Sequence, residues 1–114
     1  MILSSKKGGG SGGFNAAETL MAALGTCLVT NVNSLSEKMR LKIDDVQVSI
    51  AGTRTDDPPG MTEIVYTLTL VSPEAEGKLR QLRDLAVRWG TVTNTLTGGV
   101  PVRGSLRLVR PDVK

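Results

Sequence analysis

The chain of 114 residues is long enough for one domain. Hydrophobic residues make up 39% of it and charged residues 22%, as in ordinary globular proteins, and its three aromatic residues are too few for a nucleic-acid stacking platform. Fourteen basic residues against eleven acidic ones give a net charge of +3. These charges do not form the blocks that indicate nucleic-acid or membrane partners, so we expect neither.

Residues 1–13 form a glycine-rich leader that we expect to be flexible, because glycine loses much entropy on ordering and has no side chain to bury. The leader lacks the apolar segment of a signal peptide, which favours a cytoplasmic protein. Gly8, Gly10 and Gly13 match the nucleotide-binding pattern G-x-G-x-x-G, but no strand of useful length precedes them and no acidic ribose ligand follows as required. We therefore expect no nucleotide cofactor, and a single domain over residues 14–114.

The first element is a long helix, predicted over about residues 16–38. Asn15 is a suitable N-cap, and Glu18 three residues later makes a variant of the capping box. Apolar residues recur with helical spacing, and small or apolar residues also occupy the other faces. A helix of this kind is covered on most sides by other parts of a protein.

Two strands follow. The stretches "VQVSI" at 46–50 and "EIVYTLTLV" at 63–71 alternate apolar and polar residues, which predicts strands. Between them "TDDPPG" at 55–60 consists of residues that favour turns and cannot continue a ladder. The pattern predicts an antiparallel pair.

A second helix and a third strand complete the chain. Ser72 as N-cap and Pro73 in the first turn predict the start of an amphipathic helix. Residues 90–99 indicate a turn or a short helix, and the alternation over 100–108 predicts a closing strand. The apolar face of the second helix consists of Ala75, Leu79, Leu82, Ala86 and Trp89.

This order of elements predicts an α+β fold with helices packed on a largely antiparallel sheet. Three strands and one further helix are too little to cover the long apolar helix. We therefore expect a second copy of the chain to supply the missing cover, as a homodimer.

Paired aspartates are the only groups that suggest a metal ion. They lie at a strand start and in the Pro-Gly turn, where aspartate is favoured for local hydrogen bonds, and they lack the alternating spacing of a calcium loop. One cysteine and no histidine also rule out the usual zinc ligands, so we expect no metal and no cofactor. The four residues are Asp44, Asp45, Asp56 and Asp57.

Cys27 has two interpretations. A cysteine on an apolar helix is usually a small packing residue. Its reactive form is the thiolate, which needs a nearby cation or a helix N-terminus. Cys27 lies some three turns inside the helix, and no lysine or arginine occurs between Asn15 and Ser36. An activating cation must therefore come from elsewhere in the fold.

The stretch "GFNAAETLMAALGTCLVTNV" resembles the OsmC/Ohr family of thiol-dependent hydroperoxide reductases. The family's helix ends in Ala-Ala-x-x-Cys, and this register places Cys27 on the peroxidatic cysteine. Later segments follow in the family's order, ending with "VTNTLTGGVPVRGSL", so that the resemblance covers residues 12–108.

The resemblance implies an intertwined homodimer in which a long central helix packs on the sheet and the active sites lie at the subunit interface. It also implies the partners, a small-molecule hydroperoxide and a thiol reductant. In this family the first cysteine attacks the peroxide and a second one resolves the sulfenic acid as a disulfide. An arginine from strands before the helix, assisted by a glutamate at the helix start, holds the thiolate.

The chain departs from the family pattern at several positions. Gly90 stands where the second cysteine is expected, and Ala17 where the glutamate is expected. The upstream strands that carry the arginine are missing from the sequence. The candidate catalytic residues are therefore Cys27 as nucleophile, with Glu18 and Arg54 as its charged partners. Arg88 and Arg103 are other possible sources of the cation.

Two functions remain open. In the first, the chain is a divergent, N-terminally short OsmC-like protein that detoxifies organic hydroperoxides with a single peroxidatic cysteine and an external thiol. In the second, it is a non-catalytic homodimer of the same fold that binds a small apolar ligand or acts as a scaffold. The missing strands have a third explanation, a true start upstream of Met1.

Overall fold

The computed structural model describes residues 15–111, so the predicted leader and its glycine pattern lie outside the described part. The fold is α+β, as predicted. Within residues 15–111 no helix combines the length and apolarity needed to cross a membrane. In chain order the elements are α1 (Ala16–Lys38), β1 (Asp45–Asp56), β2 (Pro59–Val71), α2 (Glu76–Arg88), α3 (Thr91–Thr97) and β3 (Val102–Val109).

Helix α1 begins and ends where the sequence predicts. Asn15 Oδ1 accepts a hydrogen bond from the Glu18 amide at 2.8 Å, and Glu18 Oε1 accepts one from the Asn15 amide at 3.1 Å. These two bonds form a capping box and satisfy amides that have no partner inside the helix. At the other end Arg40 has a left-handed backbone with φ 57°, and the Leu41 amide donates to the Ser36 carbonyl at 2.9 Å.

The sheet has the order β1–β2–β3 and is mixed. Strands β1 and β2 are antiparallel, as predicted, whereas β2 and β3 are parallel. The expectation of a largely antiparallel sheet therefore holds only for the longer pair. The physical reason is the connection: the chain crosses over through α2 and α3 before it returns as β3, and such a crossover gives parallel strands.

The β1–β2 hairpin is longer than predicted. The ladder continues to Asp56 opposite Pro59, so only Asp57 and Pro58 remain in the turn, and the prediction that 55–60 stay outside the ladder is wrong. Proline at the first position of a strand is compatible with a ladder. Residues 51–60 are exposed on both faces, so the far end of the hairpin projects beyond the core.

Helix α2 begins later than predicted, at Glu76 with Ala75 as N-cap. The Ser72 hydroxyl does not cap it but donates to the Lys42 carbonyl at 2.6 Å and accepts from the Glu74 amide at 3.1 Å. Ser72 therefore joins the start of β1 to the end of β2. Trp89 follows the last helical residue and is 68% exposed, so it does not extend the buried face of α2.

The core lies between α1, α2 and the inner face of the sheet. Its α1 residues are spaced four apart and form one stripe, while β2 contributes every second residue. Burial of these aliphatic side chains is the main stabilising contribution to the fold. The fully buried members are Leu24, Leu28, Val32, Ile64, Leu68, Leu70, Leu79, Leu82 and Ala86, together with Tyr66 at 5% exposure.

Candidate functional site

Helix α1 presents two opposite faces to the rest of the chain. Each residue of an α-helix is rotated by about 100° from the last, so Gly25 and Cys27 point about 160° apart. A Cβ on Gly25 would lie 3.0 Å from Ile50 Cδ1 of β1, whereas Cys27 Sγ lies beside Gly90, before α3. We call the side with Cys27 and Asn31 the sulfur face, and the side with Gly25 the groove face.

On the sulfur face, Cys27 is half-buried. Asn31, one helical turn further on, places its side-chain Nδ2 at 3.9 Å from Cys27 Sγ. The same Nδ2 donates to the Ala86 carbonyl of α2 at 3.2 Å. Asn31 is therefore held between the two helices with an amide directed toward the sulfur, so the sulfur has a polar neighbour in an otherwise aliphatic layer.

Gly90, the N-cap residue of α3, lies against the sulfur. It is buried, and a Cβ at this position would lie 3.2 Å from Cys27 Sγ. In a disulfide the sulfurs are about 2.05 Å apart, so that the Cβ of one cysteine lies about 3 Å from the sulfur of the other, close to the separation at Gly90. The glycine therefore occupies the place from which a second cysteine would reach Cys27.

Thr93 completes this side of the sulfur. It is 2% exposed, and its hydroxyl has no hydrogen-bond partner among residues 15–111. The same Cβ on Gly90 would lie 2.7 Å from Thr93 Oγ1. The sulfur of Cys27 and the hydroxyl of Thr93 thus both lie against Gly90, where a side chain would meet them.

A hollow of about 310 Å³ begins one helical turn from the sulfur. Its lining includes Asn31, Lys38 and the exposed Trp89, with Ser34 and Leu35 between them. It combines an amide, a hydroxyl, an ammonium group and an indole.

The groove face has a different character. Gly25 allows β1 to pack closely on α1, since Ile50 Cδ1 and Val48 Cγ1 lie 3.0 and 3.1 Å from the position of its absent Cβ. Beside this contact is an open, mostly apolar groove of about 490 Å³. The groove is lined by Glu18, Met21, Ala22, Gly25, Thr26, Val29, Thr30, Val48 and Ile50.

The predicted charged partner Glu18 lies on this groove face. It is nine residues from Cys27, which corresponds to about 13 Å along the helix and half a turn around it. Its carboxylate accepts the Asn15 amide in the capping box. Within one protomer, Glu18 and Cys27 are therefore not brought together.

Arg54 is also separated from Cys27 in the protomer. It lies on the projecting hairpin, 62% exposed, with Nε at 3.6 Å from Asp56 Oδ1. Two residues before Arg54 in β1, Gly52 packs against Met21 of α1. Arg54 therefore lies beyond Met21, further from Cys27 and on the opposite side of α1. Of the other candidates, Arg103 forms an ion pair with Glu63.

Two residues of this site were missed by the sequence analysis. Asn31 lies four residues after Cys27, and this helical spacing could have placed it beside the sulfur. Thr93 had no comparable signal, because its burial depends on how α3 packs against α1. Of the four aspartates, Asp44 lies 3.9 Å from the Lys42 ammonium, Asp45 accepts a hydrogen bond from Gln47 Nε2 at 3.0 Å, and Asp56 pairs with Arg54. No three potential metal ligands cluster anywhere in the described ranges.

Comparison with protein families gives one match: the model of the OsmC-like protein family covers residues 8–104. No curated protein matches the chain significantly.

Solved structures share the fold at low sequence identity. An OsmC-like protein from Mycoplasma pneumoniae has a TM-score of 0.79 and 22% identity, over 85% of this chain and 73% of that one. An organic hydroperoxide resistance protein OsmC from Legionella pneumophila has a TM-score of 0.72 and 17% identity, over 88% and 74%. The organic hydroperoxide resistance protein OhrB of Bacillus subtilis has a TM-score of 0.62 and 18% identity, over 83% and 71%.

Proposed function

Because this chain belongs to the OsmC-like protein family, we propose that it reduces organic hydroperoxides with Cys27 as its single nucleophile and an external thiol as reductant. The observation that carries the proposal is the position of Cys27 Sγ, which faces the Cβ position of Gly90 at 3.2 Å and the amide of Asn31 at 3.9 Å. The names of the Legionella and Bacillus structures support the substrate class. An external thiol requires a reducing compartment, and we place the protein in the cytoplasm.

The reaction begins with the Cys27 thiolate, which attacks the distal oxygen of the hydroperoxide. The O–O bond breaks, the alkoxide takes up a proton and leaves as an alcohol, and the sulfur, oxidised by two electrons, becomes a sulfenic acid. One external thiol condenses with the sulfenic acid to give a mixed disulfide and water. A second external thiol attacks the sulfur of the first in the mixed disulfide, so that the two external thiols leave joined as a disulfide and the Cys27 thiol is restored.

The external thiol replaces the cysteine that Gly90 does not provide. In a protein that resolves the sulfenic acid with a second cysteine, that thiol lies next to the sulfenic acid. Here Gly90 has no side chain at the corresponding position, and the hollow beside Asn31 and Trp89 gives a small thiol a route toward the sulfur. We therefore expect small monothiols to support turnover, without the preference for dithiols that an internal disulfide creates.

The functional unit in this proposal is a homodimer. The apolar groove and the exposed hairpin end, residues 51–60, are surfaces that a second copy can cover. In an intertwined dimer the projecting hairpin of one protomer lies along the other, which gives Arg54 a route to the Cys27 of its partner. Glu18, on the groove face, then lies at the interface.

A turnover assay tests the proposed function. The wild-type protein is expected to consume an organic hydroperoxide in the presence of a monothiol, and Cys27→Ser is expected to lose this activity while keeping its fold. Asn33→Ser, which changes an exposed side chain of the same helix outside the groove and the hollow, serves as the control and should remain active. Equal, protein-independent consumption in all three samples would overturn the proposal.

The dimer has its own test. Sedimentation is expected to give twice the 12.1 kDa of one chain, and Val29→Asp in the groove should shift the mass to that of the monomer.

In the dimer, Arg54→Gln should slow the oxidation of Cys27 about tenfold or more, since each 1.36 kcal/mol of lost transition-state stabilisation is a factor of ten. Arg103→Gln is the matched control, because Arg103 is already paired with Glu63.

A second candidate function is the binding of a small apolar ligand without catalysis. The groove of about 490 Å³ favours it, since its size and apolar lining suit such a ligand. In this case an apolar fluorescent probe should bind wild type and Cys27→Ala equally, and no hydroperoxide should be consumed. Hydroperoxide turnover that depends on Cys27 would exclude this function as the only one.

A further inference from the structure

Thr93 differs from the two later threonines of α3. Thr95 Oγ1 donates to the Thr91 carbonyl at 2.8 Å and Thr97 Oγ1 to the Asn94 carbonyl at 3.2 Å, which is the usual way in which a helix satisfies such hydroxyls. Thr93 Oγ1 makes no such bond and has no partner among the described residues, although Thr93 is 2% exposed. A buried hydroxyl without a partner is destabilising and requires an explanation.

The location of this hydroxyl suggests one. Thr93 Oγ1 and Cys27 Sγ approach the same point, the Cβ position of Gly90, to within 2.7 and 3.2 Å. The two atoms therefore lie within about 6 Å of each other. When Cys27 is oxidised, its sulfur acquires an oxygen atom, which is a strong hydrogen-bond acceptor and needs a polar neighbour in this buried layer.

We propose that Thr93 donates its unpaired hydroxyl to the oxygen of the Cys27 sulfenic acid, which lies between the two side chains next to Gly90. This inference rests on the proposed function, because it concerns the intermediate of that reaction. The Asn31 amide, at 3.9 Å from Sγ, lies on the same side of α1 and can donate a second hydrogen bond to the oxidised group.

The arrangement matters because the chain has one cysteine. A sulfenic acid that no internal thiol captures must persist until an external thiol arrives. During this time a second hydroperoxide can oxidise it to a sulfinic acid, transferring another oxygen atom to the sulfur and releasing another alcohol, which is irreversible here. A hydrogen bond to the sulfenic oxygen withdraws electron density from the sulfur and slows this second oxidation.

The experiment compares the lifetime of the sulfenic acid in variants of the intact protein. Each protein is treated with cumene hydroperoxide without thiol, and intact-mass analysis with a sulfenic-acid trap follows Cys27 through the sulfenic and sulfinic states. Thr93→Val removes the hydroxyl with little change in shape, and Thr93→Ala does so if the valine variant fails to fold. Thr93→Ser keeps the hydroxyl, and Thr95→Val removes a neighbouring hydroxyl that already has a partner.

We expect the sulfinic acid to form about five- to tenfold faster in Thr93→Val and Thr93→Ala, the factor that corresponds to one hydrogen bond. Thr93→Ser and Thr95→Val should behave like wild type. Reduced Thr93→Val should melt at or above the wild-type temperature, because it no longer buries an unpaired hydroxyl; a purely structural threonine would give a lower value.

The outcomes separate the two proposals. If wild type forms the sulfenic acid and the Thr93 variants overoxidise no faster, the role of Thr93 is overturned while the proposed function stands. If Cys27 of the wild type forms no sulfenic acid, the proposed function fails, and with it the inference.

Discussion

The two faces of α1 differ in their chemistry and in how they are covered. The sulfur face has a thiol, an amide and the unpaired hydroxyl of Thr93 close together, under α2 and α3. The groove face packs Gly25 on β1 and leaves a mostly apolar groove open beside it. One helix thus separates the polar groups from the open apolar groove. Glu18 and Arg54 lie on the groove side, and only in the proposed dimer do they approach a sulfur, that of the second copy.

The largest effect is expected at Gly90, where one added sulfur atom changes a reaction with one cysteine into a reaction with two. Gly90→Cys places a second thiol beside Cys27, and we expect hydroperoxide to convert the pair into an internal disulfide with the loss of two hydrogens. Turnover should then depend on dithiols. Thiol quantification and intact mass before and after oxidation measure the change.

The control for this variant is Gly90→Ser, which introduces a side chain of similar size without a thiol. Both variants must displace Thr93 Oγ1, which would lie 2.7 Å from the new Cβ, so both share any loss of stability. A Gly90→Cys protein that is folded but forms no disulfide would show that the sulfur does not face Gly90.

The next effect contrasts the buried stripe with the groove. Leu28 is fully buried beside Cys27, and Leu28→Ala should lower the free energy of unfolding by about 2–5 kcal/mol. Val29, the following residue, lines the open groove, and Val29→Ala should cost less than about 1 kcal/mol where the chain is monomeric. Urea denaturation at low protein concentration measures both values, and equal losses would contradict the assignment of the two faces.

A smaller effect tests whether the two faces are independent. Gly25→Leu pushes α1 away from β1, because even a Cβ would lie 3.0 Å from Ile50 Cδ1, and overpacking of this kind costs about 1–3 kcal/mol. The rate of Cys27 oxidation should change little in the folded fraction, since the sulfur is on the other side of the helix. Thermal unfolding and sulfenic-acid trapping report the two quantities separately; a large loss of both would show that the faces are coupled.

The smallest effect concerns Tyr66, a buried residue of strand β2. Burial raises the pKa of the Tyr66 phenol above its usual value of 10.0, although the nearby Arg83 acts in the opposite direction. Above about pH 10 the unfolded chain therefore loses this proton more readily than the folded chain, and the contribution of Tyr66 to stability decreases as pH rises toward its folded pKa. Tyr66→Phe should lack this decrease. The difference in melting temperature between the two proteins, measured from pH 8 to 11, is the test; a pH-independent difference would contradict it.

Much of the fold could be predicted because local signals agree with it. Asn15 and Glu18 mark the start of α1, and the alternation in β1 and β2 marks a hairpin. The end of α1 has no glycine, and Arg40 takes the left-handed position instead. The sequence could not indicate that Ser72 bonds to the Lys42 carbonyl, because that contact joins segments 30 residues apart.

The candidate site, like the fold, could be predicted only in part. Cys27 was found through its register in a recognisable helix, and Gly90 through its place in a later segment. The cluster around the sulfur depends on the packing of α3 against α1, which no local pattern determines, and Thr93 was therefore missed. Glu18 and Arg54 are far from Cys27 within one protomer because of helical geometry and strand register. Their suitability as charged partners was predicted from residue type, which does not give their position.

The most direct test of the account is the site of the first oxidation. One equivalent of an organic hydroperoxide is added to the reduced wild-type protein, and peptide mass spectrometry locates the incorporated oxygen. The account predicts that it is found on Cys27, trapped as a sulfenic acid, before any of the four methionines is oxidised. Oxidation of the methionines while Cys27 stays reduced would contradict the assignment of Cys27 as the nucleophile.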